Sequence, residues 1–286
     1  LLTNDVIEEL YKNHIGIGIS IDGDRKCHDL QRTFVSGKGS YDTVKKNLLQ
    51  AQRYYKNKIG TITTITKQTA VHIEKIIEHL VLDLHISNIK LNFVHASTYT
   101  HGQNQCLNTQ EIADTELRIL YKIIELQERG YDVMEHNIFI KLKNLLFREY
   151  ADICLSCGCC GGKKMIVFDM DGNIYPCELT DDASFVIGSI YKKESLIEQI
   201  KMTIDKDKAF FKMKKAVECE KCYWKFFCRG GCTVRALSEK RQMEVIDIDH
   251  IECAINQVLY PALMELVLRK PHIVNQMLGE DLLVDE

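Results

Sequence analysis

The chain has 286 residues, 45% hydrophobic and 27% charged, enough to bury a sizeable core as one large or two medium domains. A formal net charge of −3 gives no electrostatic ground for nucleic acid or an anionic membrane as partner, and no apolar run approaches the roughly 20 residues of a membrane span. No secretory signal opens the chain, so its 12 cysteines point to a reducing, cytoplasmic setting, where thiols bind metal or do chemistry more often than they pair.

The sequence begins LLTNDVIEEL, without Met, and Asp5 with Glu8 three positions on reads as a helix start. Such a helix wants a strand before it, so a preceding region is expected. HIGIGISID (14–22), KIGTITTIT (58–66) and NIKLNFVHA (88–96) are β-branched runs of strand length. Between them, SYDTVKKNLLQAQRYY (40–55) and AVHIEKIIEHLVLDLH (70–85) space Ile, Leu and Val as helices do. That alternation argues for βα units and a parallel sheet. A capped helix over 108–130 ends at Gly130, and another helical stretch runs to about Tyr150.

The character changes at residue 151. Ten of the 12 cysteines lie between 154 and 253. KMIVFDMDGNIYPC (164–177) reads as a β-hairpin turning at Asp171-Gly172, and helices are expected near 192–214 and 249–268. Cys219, Cys222, Cys228 and Cys232 are spaced C-x2-C-x5-C-x3-C, beside Gly230 and Gly231, which let backbone crowd an inorganic centre. Upstream stand Cys154, Cys157, Cys159 and Cys160 in CLSCGCCGG, then Gly172 and Cys177 as G-x4-C; Cys253 stands alone downstream. Eight thiolates make two four-coordinate sites, of either zinc or iron–sulfur type.

The order C-x(9–15)-G-x4-C, C-x2-C-x5-C-x3-C, then C resembles the SPASM domain of radical SAM peptide-modifying enzymes, with Cys159 or Cys160 as the first cysteine. SIDGDRKCHDLQR (20–32) followed by GKGSYDTVKKNL (37–48) is similar to the fourth strand and loop of those enzymes' partial (β/α)6 barrel. The expected fold class is therefore α/β. Residues 1–150 read as the C-terminal part of a radical SAM barrel, and 151–286 as a SPASM domain with a β-hairpin and helices.

The resemblance implies two auxiliary [4Fe-4S] clusters. Cys177 and Cys232, with two of Cys154, Cys157, Cys159 and Cys160, would hold one; Cys219, Cys222, Cys228 and Cys253 would hold the other. It implies that Ser20 and Arg32 contact S-adenosylmethionine, where a guanidinium suits the carboxylate, though Ser20 capping a strand and Arg32 on the surface explain them as well. Ile62 and Ile65 would line an adenine pocket, or simply the core. Glu178 stands where sulfatase maturases of this architecture carry an Asp proton acceptor; an exposed loop carboxylate is the plainer reading. Trp224, Tyr223, Phe226 and Phe227 are expected to pack around a cluster, and Cys27 and Cys106 to be structural or free.

The C-x3-C-x2-C motif that binds the SAM-cleaving cluster is absent, as is GGEP, and LLTN resembles the tail of a segment after the third strand. The chain thus reads as a piece unable to cleave SAM unaided, its parent carrying SAM and a third [4Fe-4S] cluster. The parent's implied activity is maturation of a ribosomally made Cys-rich peptide, with thioether cross-links formed through a 5′-deoxyadenosyl radical. Formylglycine formation in a sulfatase is the alternative, and a non-catalytic electron-relay or peptide-binding fragment another. Implied partners are the precursor peptide and an electron donor such as flavodoxin or ferredoxin.

Overall fold

The computed structural model describes residues 2–95, 102–149, 154, 159–162, 164–180, 183–205, 217–240 and 248–279. Strands β1 (Gly18–Ser20), β2 (Gly60–Ile65) and β3 (Asn88–Phe93) occupy the three β-branched runs. A fourth, β4 (Met134–Glu135), extends them in the order β1-β2-β3-β4, every pair parallel. Parallel neighbours need crossovers. Helix α1 (Asn4–Lys12) precedes β1, and α2 (Arg25–Gln31) and α3 (Tyr41–Tyr55) link β1 to β2. The β2–β3 crossover is α4 (Lys67–Ala70) and α5 (Ile73–Glu78), the latter continued by the π-helical turn His79–Asp83. Long α6 (Thr109–Glu128) leads to β4, which runs straight into α7 (His136–Phe147).

Local chemistry explains the helix starts. Asn108 and Glu111 form a reciprocal capping box on α6, the Asn108 side chain accepting Glu111 N–H at 2.9 Å and Glu111 accepting Asn108 N–H at 2.8 Å. At α1 the expected cap is corrected: Thr3 holds the N-cap position, and Asp5 lies within the first turn, where its charge meets the positive helix end.

Alternation along the strands separates two faces of the sheet. Thr61, Thr63, Ile65, Ile89 and Leu91 are buried and share a core with Leu48, Ile73, Ile76, Ile77, Ile119 and Ile123. The opposite face carries Ser20, Ile62, Thr64, Lys90 and Asn92, linked by the register Ser20↔Ile62, Ile62↔Lys90 and Thr64↔Asn92. Ser20 and Ile62 are exposed on it, and the rest half-buried. A parallel sheet ordinarily buries both faces; this one keeps a polar face.

The chain divides into two compact units. The first contains the residues up to Val94, Gln105–Leu142 and the chain from Pro261 onward, so the tail is grouped with the parallel sheet; the second contains His95–Asn104 and Lys143–Tyr260. The second unit has an antiparallel sheet of β5 (Val167–Phe168), β6 (Asn173–Tyr175) and β7 (Gly188–Ser189). Its hairpin turns where expected. Asp169 Oδ1 accepts Asp171 N–H at 2.9 Å and Asn173 N–H at 2.7 Å, and Gly172 takes φ 76°, open only to glycine at low cost. Helices α8 (Leu196–Asp205), α9 (Val217–Glu220), α10 (Lys225–Cys228), α11 (Thr233–Lys240) and α12 (His250–Arg269) follow, then α13 (Pro271–Leu278). By length and composition α12 is apolar enough to cross a membrane, an exception to the expectation that no run reaches that size. Its Leu259, Tyr260 and Leu263 are fully buried, which marks a core helix.

Candidate cluster and cofactor sites

The motif shared by residues 20–41 is one hydrogen-bonded network in the first unit. Arg32, at the end of α2, donates Nε to Asp22 Oδ2 at 2.6 Å and Nη2 to Asp22 Oδ1 and Thr64 Oγ1, both at 3.4 Å. Asp22 is 1% exposed, and its Oδ1 also accepts Thr64 N–H at 2.8 Å. The Asp22 N–H donates to His28 Nδ1 at 3.2 Å, so Nδ1 is the acceptor and Nε2 carries the proton toward Ser40 Oγ at 3.0 Å. Ser40 Oγ closes the circuit on Arg32 O at 2.8 Å. Burial, ahead of the mixed charges around it, pushes the His28 pKa down and keeps the ring neutral.

Two glycines of the motif are fixed by close approach. A Cβ on Gly23, at φ 95°, would sit 2.7 Å from Ile76, and one on Gly39 would fall inside the Asp29 carboxylate, whose Oδ1 holds Tyr41 N–H at 2.9 Å. The segment is thus a locked loop beside the carboxyl end of β1, the edge at which open parallel sheets receive ligands. Ser20 is the exposed member there. Arg32 has two nitrogens on Asp22, so it is a partner of the loop before it is a receptor for a ligand carboxylate. Ile62 and Ile65 lie on opposite faces of β2, one 41% exposed and the other fully buried, because three residues along a strand reverse the side chain. A shared pocket wall from that pair is excluded.

In the second unit the hairpin delivers Cys177 to a group of thiols. Burial pushes the Cys177 pKa up to about 11, and the neighbouring sulfurs of Cys232, Cys154 and Cys159 raise it further. Those four thiols therefore stand within electrostatic reach of one another's region, drawn from four separate stretches of chain. Cys159 and Cys232 pack with Val234, Leu179 and Phe185, an apolar wall on the same group. Leu179 N–H donates to Cys177 Sγ at 3.4 Å. CCGG is tied to the hairpin by Gly162 N–H, which donates to Met165 O at 2.8 Å and Pro176 O at 2.9 Å. Cys160 is buried and disulfide-bonded, a form without a thiolate to offer; Cys157 lies outside the described residues. Glu178 is exposed.

The other set is anchored by turns. Cys222 N–H donates to Cys219 O at 3.3 Å, and Cys228 ends α10 with its N–H on Trp224 O at 2.8 Å. Gln257, which the sequence did not single out, donates Nε2 to Cys222 Sγ at 3.6 Å and also hydrogen-bonds Cys253, whose thiol feels Cys222 as well. Gln257 thus joins the lone downstream cysteine to the four-cysteine run. Arg229, Gly230 and Gly231 have φ of 53°, 90° and 70°, a left-handed reversal between Cys228 and Cys232. The expected reason for Gly231 is revised: its missing Cβ makes room for Asp249, 2.7 Å away. The aromatic expectation narrows too. Trp224 stacks on Tyr260 with centroids 5.2 Å apart and Phe227 lies 5.5 Å from the same ring, while Tyr223 and Phe226 are 93% and 71% exposed. Asn144 donates to both Tyr260 Oη and Phe227 O at 3.1 Å. Cys27, outside both sets, is buried, which pushes its thiol up to about 11.

Among the described residues, no three His, Cys, Asp or Glu side chains are gathered tightly enough for a single metal ion. One zinc draws four sulfurs to about 2.3 Å from a point. A four-iron cluster takes the same four thiolates around a larger core. The all-sulfur donor set around Cys177, with its apolar wall, fits such a cluster better than one ion.

No family model matches the chain. In sequence it is similar to the cysteine-type anaerobic sulfatase-maturating enzymes of Clostridium novyi, at 25% identity over 224 residues, and Clostridium perfringens strain 13, at 23% over 229. These alignments cover 77% and 78% of this chain but 58% and 59% of the relatives, so the chain spans a little over half their length. In fold it is similar to the anaerobic sulfatase-maturating enzyme anSMEcpe with bound AdoMet, at TM-score 0.78 and 18% identity, over 97% of this chain and 72% of that one. Streptococcus suis SuiB bound to precursor peptide SuiA gives 0.55 and 17%, over 86% and 56%. By sequence and by fold, the chain resembles radical SAM peptide-modifying enzymes.

Proposed function

We propose that this chain supplies the later barrel strands and two auxiliary iron–sulfur sites of a radical SAM maturase that modifies a cysteine-containing peptide segment. The observation that carries the reading is the meeting of Cys154, Cys159, Cys177 and Cys232 in one unit. In this reading those four hold the first auxiliary cluster, Cys219, Cys222, Cys228 and Cys253 hold the second, and Ser20 with the free edge of Arg32 faces SAM. Bound clusters would supply one-electron transfer; the chain's own residues set their spacing, dryness and charge. The relatives' titles support a peptide or protein substrate, since anSMEcpe has been solved with a Cp18Cys peptide and SuiB with its precursor.

For the bond made, the leading reading is a thioether between a substrate cysteine and a carbon, supported by the cysteine-rich CLSCGCCGG segment. Formylglycine formation is favoured by a different observation, the cysteine-type sulfatase maturases among the relatives. The proton acceptor in that reading would be Glu178, exposed directly after Cys177. An electron donor of flavodoxin or ferredoxin type completes the proposal.

Anaerobic reconstitution of the chain with iron and sulfide tests it: roughly eight irons per chain with matching sulfide are expected from eight thiolates in two clusters. Tightly bound zinc without sulfide overturns it. With the whole parent enzyme, mass spectrometry separates the products. A thioether loses two hydrogens and no longer alkylates at sulfur; formylglycine loses its sulfur and reacts with hydrazide.

A further inference from the structure

Between the two thiol sets lies a buried charge cluster that the cysteine pattern does not announce. Asp249, 1% exposed, is the residue before α12, and four N–H donors converge on its carboxylate. Oδ2 accepts Cys232 N–H at 2.7 Å and Arg235 Nη2 at 2.6 Å; Oδ1 accepts Glu252 N–H at 3.1 Å; Arg235 Nε sits 3.0 and 3.1 Å from the two oxygens. The backbone carbonyl of Asp249 accepts Cys253 N–H at 2.8 Å. Arg235 Nη2 also reaches Glu252 Oε2 at 3.2 Å. Gly231 leaves the space that the carboxylate fills.

We propose that Asp249, balanced by Arg235, is a positioning residue that sets the two cluster sites relative to each other, holding Cys232 with its side chain and Cys253 with its backbone. The inference rests on the reading that Cys232 and Cys253 ligate different clusters, and adds a residue pair to it. A carboxylate is required because all four partners are donors; an amide offers one oxygen and turns its NH2 against another donor. The charge matters as well as the shape. Arg235 places a cation beside the Cys232 sulfur, and Asp249 places an anion beside both Cys232 and Cys253. A reduced cluster carries one more negative charge than an oxidised one, so a nearby cation raises its potential and a nearby anion lowers it.

The test uses the full chain, reconstituted anaerobically with iron and sulfide, as wild type, Asp249→Asn, Arg235→Gln and Arg235→Lys. Iron and sulfide are assayed, and EPR is followed in a mediated dithionite titration. Asp249→Asn is expected to lose about half the iron, one of two clusters, and to shift the remaining signal to higher potential. Arg235→Gln is expected to shift it to lower potential, and Arg235→Lys, which keeps the charge, to restore most of that shift. Loss of structure alone does not move two potentials in opposite directions. Should Asp249→Asn yield no soluble protein, the Arg235 pair decides by itself: a Gln variant at the wild-type potential overturns the inference. Full iron and unmoved potentials in Asp249→Asn overturn it too, with the cluster reading intact. A wild type that takes up no iron or sulfide overturns both.

Discussion

Glu135 sets burial against backbone donors in a way that can be measured. It is 3% exposed where β4 meets α7, with Oε1 accepting Leu91 N–H at 2.9 Å and Oε2 accepting Ile138 N–H at 2.8 Å. Burial raises the carboxyl pKa more than these donors and Lys90 lower it, leaving it at about 7 against the ordinary 4.5. Between those values the folded chain holds a proton that the unfolded chain has released, so this group's stability contribution is greatest at low pH and falls as pH rises, levelling above about 7. The displacement from 4.5 to about 7 corresponds to a fall on the order of 3 kcal/mol. Glu135→Gln abolishes the titration but sets an amide NH2 against one backbone N–H, costing about 1–3 kcal/mol at every pH. The variant is therefore expected to be the less stable protein at pH 5 and to match or exceed the wild type at pH 8. Urea unfolding followed by far-UV circular dichroism at pH 5, 6, 7 and 8 reads this, and the difference between the two proteins cancels titrations they share. Stability curves that stay parallel refute the reasoning, because the backbone donors would then have kept Glu135 ionised throughout.

Cys222→Ala is expected to halve the reconstituted iron and to lower the melting temperature of the reconstituted protein, since ligation contributes to folding; unchanged iron by colorimetric assay contradicts the ligand set. Arg32→Gln leaves the buried Asp22 carboxylate with the Thr64 N–H but no cation, at about 1–3 kcal/mol because the pair is part-exposed, seen as a lower urea midpoint. An unchanged midpoint would mean that the motif loop is held by something else. Gly231→Ala forces a Cβ against Asp249 at a φ of 70°, and a loss of about 1–3 kcal/mol is expected together with reduced iron uptake. Full uptake and full stability would show the loop can relax.

Much of the architecture is written in local periodicity. The β-branched runs became β1, β2 and β3, and the Asn108–Glu111 pair capped α6, because strand and helix signals repeat within a few residues of chain. The hairpin at Gly172 was equally plain, since only a few residue types accept its φ. β4 was not legible: two residues carry no period, and pairing with β3 alone makes them a strand. The cysteine order named the thiols but not their neighbours. That Cys177 stands beside Cys154, Cys159 and Cys232, that Gln257 spans Cys222 and Cys253, and that Asp249 and Arg235 lie between the sets, depend on side chains far apart in sequence meeting in space. The same holds for Arg32, drawn as a ligand by its motif and bound by Asp22 in the fold. Residue types and spacing decide which groups a chain possesses; only packing, which must satisfy every buried charge and donor at once, decides which partner each group takes.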